Sequence, residues 1–421
     1  MTVASTGERR PARVSARGAA RWAAGHPWIY RSDVRRAPDP DPAGIVAVEG
    51  PDGGGIGVAL WSPTSEIRLR RLDAPGVEVD AGWWRRRIQE AADRRGPVDG
   101  DAWRVVHGEA DGLPSLVVDL YGSIVVAQLL SAGLEARREE ILDALETVLR
   151  PSGILLRNDV SVRRHETLPI AVELGRGEVP ESLVVREGPV RYRVDPWTGQ
   201  KTGAFLDQRE NRVRAGELLA GSLRHRGSGT AGRVRVLDAF SFHGSFALHL
   251  AAAAADAGAG DVELEVVAVD QSGEALARGR ENAALNGLEG IDWVEGNAFD
   301  FLRAEDEAGR SFDFIVLDPP AFAKRRDSVE AALRGYGEIN RRGLRLLRPG
   351  GRLLTFSCSF HVGREAFLRM LAAAAADAGR RVALEAVLGA AADHPAILTI
   401  PETDYLQGAT LRALDGDRTP A

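Results

Sequence analysis

The spacing of apolar and polar positions divides the first half of this 421-residue chain into two segments of different texture. From about Pro11 to Asp73, short apolar stretches such as GHPWIY (25–30) and GGIGVALWS (54–62) are separated by clusters of Pro, Gly and Asp. Strands with turn signals between them predict a small β-barrel or sandwich. The next segment is mixed and predicts a modest α+β layer, with helices at 83–95 and 137–149 and strands at 115–130, 153–158 and 183–194.

The remainder of the chain, from about Asp195, alternates regularly between strand and helix patterns. Predicted strands lie at 233–240, 263–270, 291–295, 312–318 and 351–357, and predicted helices at 245–255, 272–286, 328–347 and 364–378. This alternation predicts a parallel sheet with right-handed crossovers. We interpret the Gly- and Arg-rich stretch 221–233 as a loop before the first strand. The predicted domains are therefore 1–75, 76–194 and 195–421.

Composition narrows the class of protein. Hydrophobic residues make up 44% of the chain and charged residues 27%, which is typical of globular proteins. No apolar run approaches the roughly 18–20 residues of a membrane span, and no apolar stretch follows the N-terminal arginines as a secretory signal would require. Cys358 is the single cysteine, which excludes an internal disulfide and a Cys-based metal cluster. We therefore expect a cytoplasmic protein without a membrane partner.

Charge is unevenly distributed. The formal net charge is −6, yet residues 9–36 hold eight arginines and one acid, Asp33, and so carry +7. Lysine occurs only at Lys201 and Lys324. An ammonium group differs from a guanidinium group in geometry and hydration, so these two positions are candidates for a specific role. Solvated surface lysines are the equally weighted alternative.

Acidic residues stand at three successive predicted strand ends, Asp238, Asp270 and Asp318. Ligands of doubly wound sheets bind at this edge, although a single acid there is more often a helix cap. A dinucleotide site needs several glycines around the pyrophosphate, whereas the loop after Asp238 has only Gly244, which disfavours an NAD-dependent oxidoreductase. Three such acids favour a cationic cofactor with a ribose and no phosphates, such as S-adenosylmethionine.

Cys358 follows the strand 351–357. A lone cysteine is usually a small buried hydrophobic residue, but a thiolate at this edge of the sheet would face a base held over the cofactor.

Four motifs, found in this order along the chain, narrow the class of protein: VLDAFSFHGSF (236–246), VDQSGEALARGRENAALNG (269–287), DPPAFAK (318–324) and LLTFSCS (353–359). The sequence resembles class I S-adenosylmethionine-dependent methyltransferases. With GQKTGAFLDQRENR (199–212), DHPAILTIPETDYLQGATLR (393–412), GHPWIYRSDV (25–34) and HGEADGLPSLVVDLYG (107–122), it resembles the bacterial 23S rRNA (cytosine-C5) methyltransferase family. This implies a Rossmann-like domain with a mostly parallel seven-stranded sheet, preceded by a β-barrel PUA domain and a central α+β domain.

The resemblance also implies roles for individual residues. It places Asp238 and Gly244 at the methionine end of S-adenosylmethionine, Asp270 at the ribose, and Phe240 among the cofactor-binding residues. Asn297 stands where the family usually has an acid near the adenine amino group, and its carbonyl oxygen can accept the same hydrogen bond. Asp318, with Pro319 beside it, corresponds to the motif acid at the cofactor and the base, and Cys358 to the nucleophile. Ala321 occupies the position of a second cysteine found in other RNA cytosine-C5 methyltransferases.

The chemistry expected from these roles begins with addition of the Cys358 thiolate to C6 of cytosine, which makes C5 nucleophilic. A protonated Asp318 would relieve the charge at N3. The base that removes the C5 proton is not identified. Two alternatives remain: methylation of a base nitrogen such as guanine N2, which needs no thiol, and a non-catalytic RNA-binding factor of ribosome assembly.

The expected partner is RNA, either 23S rRNA or a large-subunit precursor. Arg17, Arg21 and Arg31 in the basic segment are the candidate RNA contacts, together with Lys201 and Lys324. Four aromatic residues among the arginines could stack on bases, although in so small a barrel rings more often form the core: Trp22, Trp28, Tyr30 and Trp61. The histidines have no ligand spacing, so no metal is expected. A homodimer is compatible with the resemblance.

Overall fold

The computed structural model describes residues 10–39, 41–96, 98–225, 232–257, 262–322 and 328–418. These residues form two compact units. Unit 1 comprises Met1–Val185, Val194–Leu206 and Ala392–Thr403, and unit 2 comprises Arg186–Arg193, Asp207–Ala391 and Asp404–Ala421. The three-domain division stays a prediction.

The N-terminal part of unit 1 is a six-stranded sheet in the order β2-β6-β5-β4-β1-β3. The strands are β1 (Ala12–Val14), β2 (Trp28–Tyr30), β3 (Val34–Arg36), β4 (Gly44–Glu49), β5 (Gly55–Trp61) and β6 (Ile67–Asp73). Helix α1 (Ala16–Ala23), which the strand pattern did not predict, begins at an N-cap where the side chain of Ser15 accepts a hydrogen bond from the backbone of Gly18. Trp22 and Trp61 are 2% and 1% exposed and belong to the core of this sheet. Trp28 and Tyr30 are half-buried.

A second sheet of unit 1 has five strands in the order β11-β10-β9-β8-β7. The strands are β7 (Ala102–His107), β8 (Leu116–Tyr121), β9 (Ile124–Leu129), β10 (Gly153–Arg157) and β11 (Val172–Gly177), and the helices are α2 (Ala81–Asp93), α3 (Ala132–Glu135) and α4 (Arg138–Leu149). The predicted mixed α+β layer is present. Strands β12 (Leu183–Glu187) and β13 (Val190–Val194) form a separate two-stranded sheet.

Unit 2 is built on a seven-stranded sheet in the order β16-β15-β14-β17-β18-β20-β19. The strands are β14 (Gly232–Ala239), β15 (Val262–Asp270), β16 (Ile291–Glu295), β17 (Phe312–Leu317), β18 (Leu347–Ser357), β19 (Arg380–Leu388) and β20 (Gln407–Arg418). Strands β14 to β18 pair in parallel, and β20 is antiparallel to both of its neighbours. The predicted mostly parallel, Rossmann-like sheet is confirmed.

Helices cover both faces of this sheet. They are α5 (Arg209–His225), α6 (Ser245–Asp256), α7 (Gly273–Leu285), α8 (Ala298–Glu307), α9 (Val329–Leu346) and α10 (Arg364–Asp377). Alternate residues of β17 pack into two different cores: Phe314 and Val316 on one face, Ile315 and Leu317 on the other. Because both faces are buried, the strand sequence is apolar throughout rather than alternating.

One sequence prediction is corrected here. The stretch 221–233 was expected to be a loop, but 221–225 form the last part of α5 and Gly232 already belongs to β14. Three of the five residues from 221 to 225 are Leu, Arg and Ser, which a helix tolerates, so the Gly-rich composition of the following residues misled the prediction.

Within the described ranges, no helix combines the length and the apolar character that crossing a membrane would need.

Candidate active site of unit 2

The predicted cofactor residues lie along one edge of the seven-stranded sheet. The chain runs from β14 outward to β15 and β16 and then returns to the other side of β14 as β17. Strands β14 and β17 are therefore the point where strand order reverses, and ligands of such sheets bind at the carboxyl ends of these strands. Asp238 lies near the end of β14, Asp270 ends β15, and Asp318 directly follows β17.

Asp238 is buried and only partly satisfied. Asp238 is 1% exposed, and its Oδ2 accepts a hydrogen bond of 2.9 Å from the backbone N–H of Ala247 in the first turn of α6. Burial raises the pKa of Asp238 to about 8, and the negative charges of Asp318 and Asp270 act in the same direction. Oδ1 is buried without a hydrogen-bond partner among the described residues. Asp238 thus acts both as a cap for α6 and as a candidate ligand group.

The loop after β14 is held in an unusual backbone conformation. Phe240 and Phe242 have φ values of +66° and +50°, in the left-handed region that costs non-glycine residues about 1–3 kcal/mol each. Gly244 has φ +74°, and a Cβ atom there would lie 2.4 Å from the indole of Trp293. The single glycine of the loop is therefore required by both its conformation and the packed indole.

Asp270 fixes the same loop from the neighbouring strand. Its Oδ2 accepts a hydrogen bond of 2.8 Å from the backbone of Phe242, and its Oδ1 accepts one of 2.9 Å from the backbone of Ser272. Each carboxylate oxygen has more than one lone pair, so these bonds leave acceptor capacity for the two hydroxyls of a ribose.

Two further polar atoms of the loop resemble Asp238 Oδ1. Ser241 Oγ and His243 Nδ1 are buried without a hydrogen-bond partner among the described residues, and the two residues are 5% and 7% exposed. Burial and the charge of Arg212 lower the pKa of His243 to about 4, so its imidazole is neutral at pH 7. Most buried polar atoms in folded proteins have a hydrogen-bond partner, so three such atoms close together in sequence at the end of β14 make this loop a candidate ligand site. A carboxyl and two neutral polar groups suit the ammonium and carboxylate end of S-adenosylmethionine, so the residues present fit this cofactor.

Behind this loop lies a buried ion pair. Arg212 on α5 donates hydrogen bonds of 2.6 and 2.7 Å to the two oxygens of Glu187, and Tyr192 donates one of 2.6 Å to the same carboxylate. Burial alone would raise the pKa of Glu187, but the positive charge of Arg212 outweighs it and holds the pKa at about 2. His249 on α6 contacts Glu187 at 3.5 Å. This pair is part of the scaffold that carries α6 and its preceding loop.

The predicted adenine residue, Asn297, is exposed and caps α8. Its Oδ1 accepts a hydrogen bond of 2.9 Å from the backbone of Phe299. From here a row of rings runs along the edge of the sheet: Phe240 to Phe299 (6.1 Å between centroids), Phe299 to Phe322 (5.8 Å) and Phe322 to Tyr336 (4.5 Å). The rings of Phe299, Phe322 and Tyr336 were not predicted as part of the site, because single aromatic residues on helices and loops form no distinguishing sequence pattern.

Cys358 and the Asp318 motif are brought together. The cysteine is partly exposed, and its Sγ donates a weak hydrogen bond of 3.7 Å to the carbonyl oxygen of Pro319. The next residue, Ser359, is fully buried and bonded to the hydroxyl of Tyr336 at 2.9 Å. Cys358 thus packs against one of the cores of unit 2 while remaining partly exposed, and its sulfur lies beside the Asp-Pro-Pro segment.

Asp318 has a hydrogen-bond partner that the sequence did not predict. Gln208, immediately before α5, donates a hydrogen bond of 2.9 Å from Nε2 to Oδ1 of Asp318. Asn211 in turn donates to Gln208 Oε1 at 2.6 Å. Both amides belong to the quoted segment GQKTGAFLDQRENR, which was the only sequence signal for them.

The predicted RNA contacts in unit 1 have partners within that unit. Arg17 pairs with Asp33 at 2.8 Å, Arg31 pairs with Glu66 at 3.2 Å, and the guanidinium of Arg21 lies 4.6 Å from the ring centroid of Tyr30. Arg17 and Arg31 nevertheless keep 67% and 52% of their side chains exposed.

Of the two lysines, Lys201 is exposed, has φ +54°, and places Nζ 4.4 Å from the ring centroid of Phe205. Lys324 lies outside the described residues.

Comparisons with known proteins identify the two domain types of the chain and its relatives. Residues 12–74 match a PUA-like domain, and residues 142–387 match the S-adenosylmethionine-dependent methyltransferase family. The chain is 37% identical over 397 residues to ribosomal RNA large subunit methyltransferase I of Aeromonas salmonicida, covering 92% of this chain and 95% of that protein. At 36% identity it also matches the protein of the same name from Salmonella arizonae, covering 92% of this chain and 94% of that protein.

Among solved structures, a protein described as a SAM-dependent methyltransferase from Streptococcus mutans superposes with a TM-score of 0.75 at 19% identity, covering 96% of this chain and 100% of that one. At this identity the likeness concerns the fold. The predicted cofactor, S-adenosylmethionine, is confirmed by the family match. The chain belongs to the family of S-adenosylmethionine-dependent methyltransferases that includes the ribosomal RNA large subunit methyltransferases I.

Proposed function

We propose that this protein methylates carbon 5 of a cytosine in RNA, with large-subunit (23S) ribosomal RNA or its precursor as the substrate, in the cytoplasm. The relatives named above supply the RNA class, and the PUA-like match supports an RNA partner. The observation that carries the C5 chemistry is the contact of Cys358 with the Asp318 motif, Sγ lying 3.7 Å from the carbonyl oxygen of Pro319.

The target atom explains why a thiol is needed. Carbon 5 of cytosine is a poor nucleophile until a nucleophile adds to C6. The Cys358 thiolate forms the S–C6 bond, and the displaced ring electrons make C5 electron-rich. A proton passes from Asp318 to N3 as that bond forms and returns when it breaks. Once C5 carries the methyl group that the cofactor would supply, loss of the C5 proton to a base and elimination of the thiolate restore the aromatic ring and the free enzyme.

The cofactor would be held by the strand-end residues. Asp238, with Ser241 and His243, would bind the methionine end beside Phe240 and Gly244, Asp270 the ribose, and Asn297 the adenine edge; Asp318 and Pro319 would lie where cofactor and base meet. When bound, S-adenosylmethionine supplies a methyl group activated by a positively charged sulfur. For RNA, we propose that cationic side chains contact phosphates, namely those of Arg17, Arg21, Arg31, Lys201 and Lys324. A homodimer stays a prediction.

Trapping with a fluorinated substrate tests the mechanism. In RNA containing 5-fluorocytidine, C5 carries fluorine in place of the proton that must leave, so elimination stops and the Cys358–C6 bond persists. We expect a protein–RNA adduct stable to denaturation with the wild type and none with Cys358→Ala. On ordinary RNA, mass spectrometry should find 5-methylcytidine, and Cys358→Ala should lower its formation by at least about 10³-fold while still binding the cofactor.

The same experiment separates the alternatives. Undiminished methyl transfer by Cys358→Ala, with the product on a base nitrogen, would favour guanine N2 methylation. Cofactor-independent RNA binding with no product in any RNA would favour a non-catalytic assembly factor.

A further inference from the structure

The buried amides of Gln208 and Asn211 reach the motif acid from α5. Gln208 is 3% exposed and Asn211 5% exposed, so neither side chain is a solvated surface group. Gln208 connects Asp318 to Asn211, and Asn211 connects to the backbone carbonyl of Gly389 at 2.9 Å. All four residues belong to unit 2.

The carbonyl of Gly389 determines how both amides are oriented. A backbone carbonyl only accepts hydrogen bonds, so the Asn211 atom that faces it is the NH₂ group. That same NH₂ group lies 2.6 Å from the Gln208 amide, and the atom it meets there must be the oxygen, Oε1. The remaining atom of the Gln208 amide, Nε2, then faces Asp318 Oδ1 as a donor. Because a backbone group anchors the series, Gln208 does not reverse its amide at low cost.

An N–H directed at Oδ1 has a chemical consequence for the carboxyl group. If Asp318 carried its proton on Oδ1, the N–H of Gln208, 2.9 Å away, would have only a hydroxyl oxygen as acceptor, which is weaker than a carbonyl or carboxylate oxygen. We propose that Gln208 is a positioning residue that keeps Oδ1 of Asp318 a hydrogen-bond acceptor, so that a proton held by this carboxyl resides on Oδ2. The proposal rests on the proposed function, in which Asp318 gives this proton to N3 of cytosine. In this proposal Gln208 acts on the reaction only through Asp318.

The electrostatic surroundings come from several elements. Asp238 on β14 interacts electrostatically with Asp318, with Asp270 on β15 and with Arg212 on α5. Cys358, after β18, lies against Pro319. Substitutions at Gln208 change none of these groups, so a change in pH dependence that follows from them reports on the Gln208–Asp318 contact.

Two substitutions at Gln208 test the proposal in the full-length protein with RNA and cofactor. Gln208→Met keeps the length of the side chain and removes both polar atoms. We expect kcat to fall about 10- to 100-fold, with KM for RNA and Kd for the cofactor within about threefold of wild type. Gln208→Glu keeps the acceptor for Asn211 but meets Oδ1 with a second carboxyl group, which must be protonated to donate.

The Glu variant gives the distinguishing readout. Near about pH 6 its kcat should recover to within about fivefold of wild type, and it should fall toward that of Gln208→Met by about pH 9, because two adjacent carboxylates repel each other. Asn286→Ala is the matched control. It removes a structural amide that bonds to the backbone of Arg191 at 2.8 Å, and it should lower thermal stability without changing the shape of the pH profile.

The results separate three cases. In the first case, the wild-type protein forms 5-methylcytidine, but Gln208→Met keeps kcat within about twofold or Gln208→Glu has the wild-type pH profile. This result overturns the positioning role of Gln208 alone. Wild-type protein that forms no 5-methylcytidine overturns the proposed function and this inference together. If Gln208→Met does not fold, the pH profile of Gln208→Glu decides by itself.

Discussion

Two buried polar clusters of unit 2 lie on the elements around α6 and differ in how completely they are paired. The closed cluster is Glu187, Tyr192, Arg212 and His249, in which both oxygens of the carboxylate accept charge-assisted hydrogen bonds. The open cluster is Asp238, Ser241 and His243, in which one atom of each side chain is buried without a hydrogen-bond partner among the described residues.

The difference shows how burial serves two purposes in one domain. In the closed cluster, Arg212 compensates the buried charge of Glu187, and the pKa of that carboxyl is lowered to about 2. In the open cluster, the burial of Asp238 is not compensated, and its pKa is raised to about 8. A paired buried cluster holds a fold together, whereas an unpaired one retains interaction energy for a ligand. Substitutions in the closed cluster should therefore change stability, and those in the open cluster should change cofactor affinity.

Arg212→Met should have the largest effect. It leaves Glu187 as an uncompensated buried charge, and we expect the free energy of unfolding to fall by about 3–5 kcal/mol, measured by urea denaturation. The double variant Glu187→Gln/Arg212→Met should recover part of this loss, since no buried charge remains. A double variant as unstable as the single one would contradict the assignment of the pair as a coupled unit.

Asp238→Asn should weaken cofactor binding about 10- to 100-fold in calorimetry with little loss of stability. The amide oxygen can still accept from Ala247, so the NH₂ group takes the unpartnered position and opposes the cofactor's ammonium group. The matched control is Asp313→Asn, a strand-start acid that pairs with Arg348 at 2.8 Å in the same unit. It should lower stability and leave cofactor affinity unchanged. The reverse pattern would abolish the distinction between the clusters.

The pH dependence of cofactor affinity should follow Asp238. Because its pKa is raised to about 8, the carboxyl is protonated in the folded protein below that pH and must release the proton to pair with an ammonium group. Affinity should therefore rise with pH by up to about tenfold per unit until about pH 8, with proton release detectable in buffers of different ionisation enthalpy. In Asp238→Asn this dependence should be absent.

The raised pKa of Asp238 also makes the free energy of unfolding depend on pH, but this free energy falls with rising pH whereas cofactor affinity rises. A carboxyl with a folded-state pKa above its unfolded value favours the folded protein at low pH, and this contribution is lost as pH rises from about 4 to about 8. The difference in unfolding free energy between Asp238→Asn and wild type should therefore move in favour of the variant over this range. A constant difference would contradict the raised pKa.

Ser241→Ala should have the smallest effect. It removes a buried hydroxyl that has no hydrogen-bond partner within the described ranges, so the free energy of unfolding should stay within about 0.5 kcal/mol of wild type or rise slightly. Cofactor affinity should fall about two- to fivefold, because the hydroxyl is one neutral hydrogen-bonding group among several. An unfolding loss above about 1 kcal/mol would place Ser241 with the closed cluster.

Much of unit 2 was predictable because local patterns reflect burial directly. The predicted strand 291–295 coincides with β16, and the other four predicted strands of the parallel sheet overlap β14, β15, β17 and β18. Helices α5 and α8 and strands β19 and β20 were not predicted, although parts of α5 and β20 overlap quoted family motifs. Strand β19 mixes exposed and half-buried positions without a regular period, so it gave no strand pattern. In the N-terminal sheet, helix α1 was not predicted, because its eight residues span only about two turns between short strands.

Site residues could be predicted where they follow a recognisable strand. They could not be predicted where their hydrogen-bond partner lies on an element distant in sequence. Asp238, Asp270 and Asp318 follow recognisable strands, but 110 sequence positions separate Gln208 from its partner Asp318. Whether an acid at a strand end caps a helix or faces a ligand was also undecidable. Asp238 does both, one oxygen bonding Ala247 and the other lacking a partner among the described residues.

The amino-acid sequence by itself determined the class of fold, the family and the residue types that gather at the carboxyl edge of the sheet. The alternation of apolar runs and helices predicts parallel strands, whose carboxyl ends meet at one edge, and the quoted motifs carry the family resemblance. Only the tertiary structure decided which buried carboxyl groups are paired with a positively charged side chain. Compensation depends on distances of a few ångströms between side chains from separate elements, as when Arg212 approaches Glu187 to 2.6 Å while no cation bonds to Asp238 within the described part of the chain. Hydrophobic patterning records how deeply a residue is buried, and it does not record which polar group lies beside it.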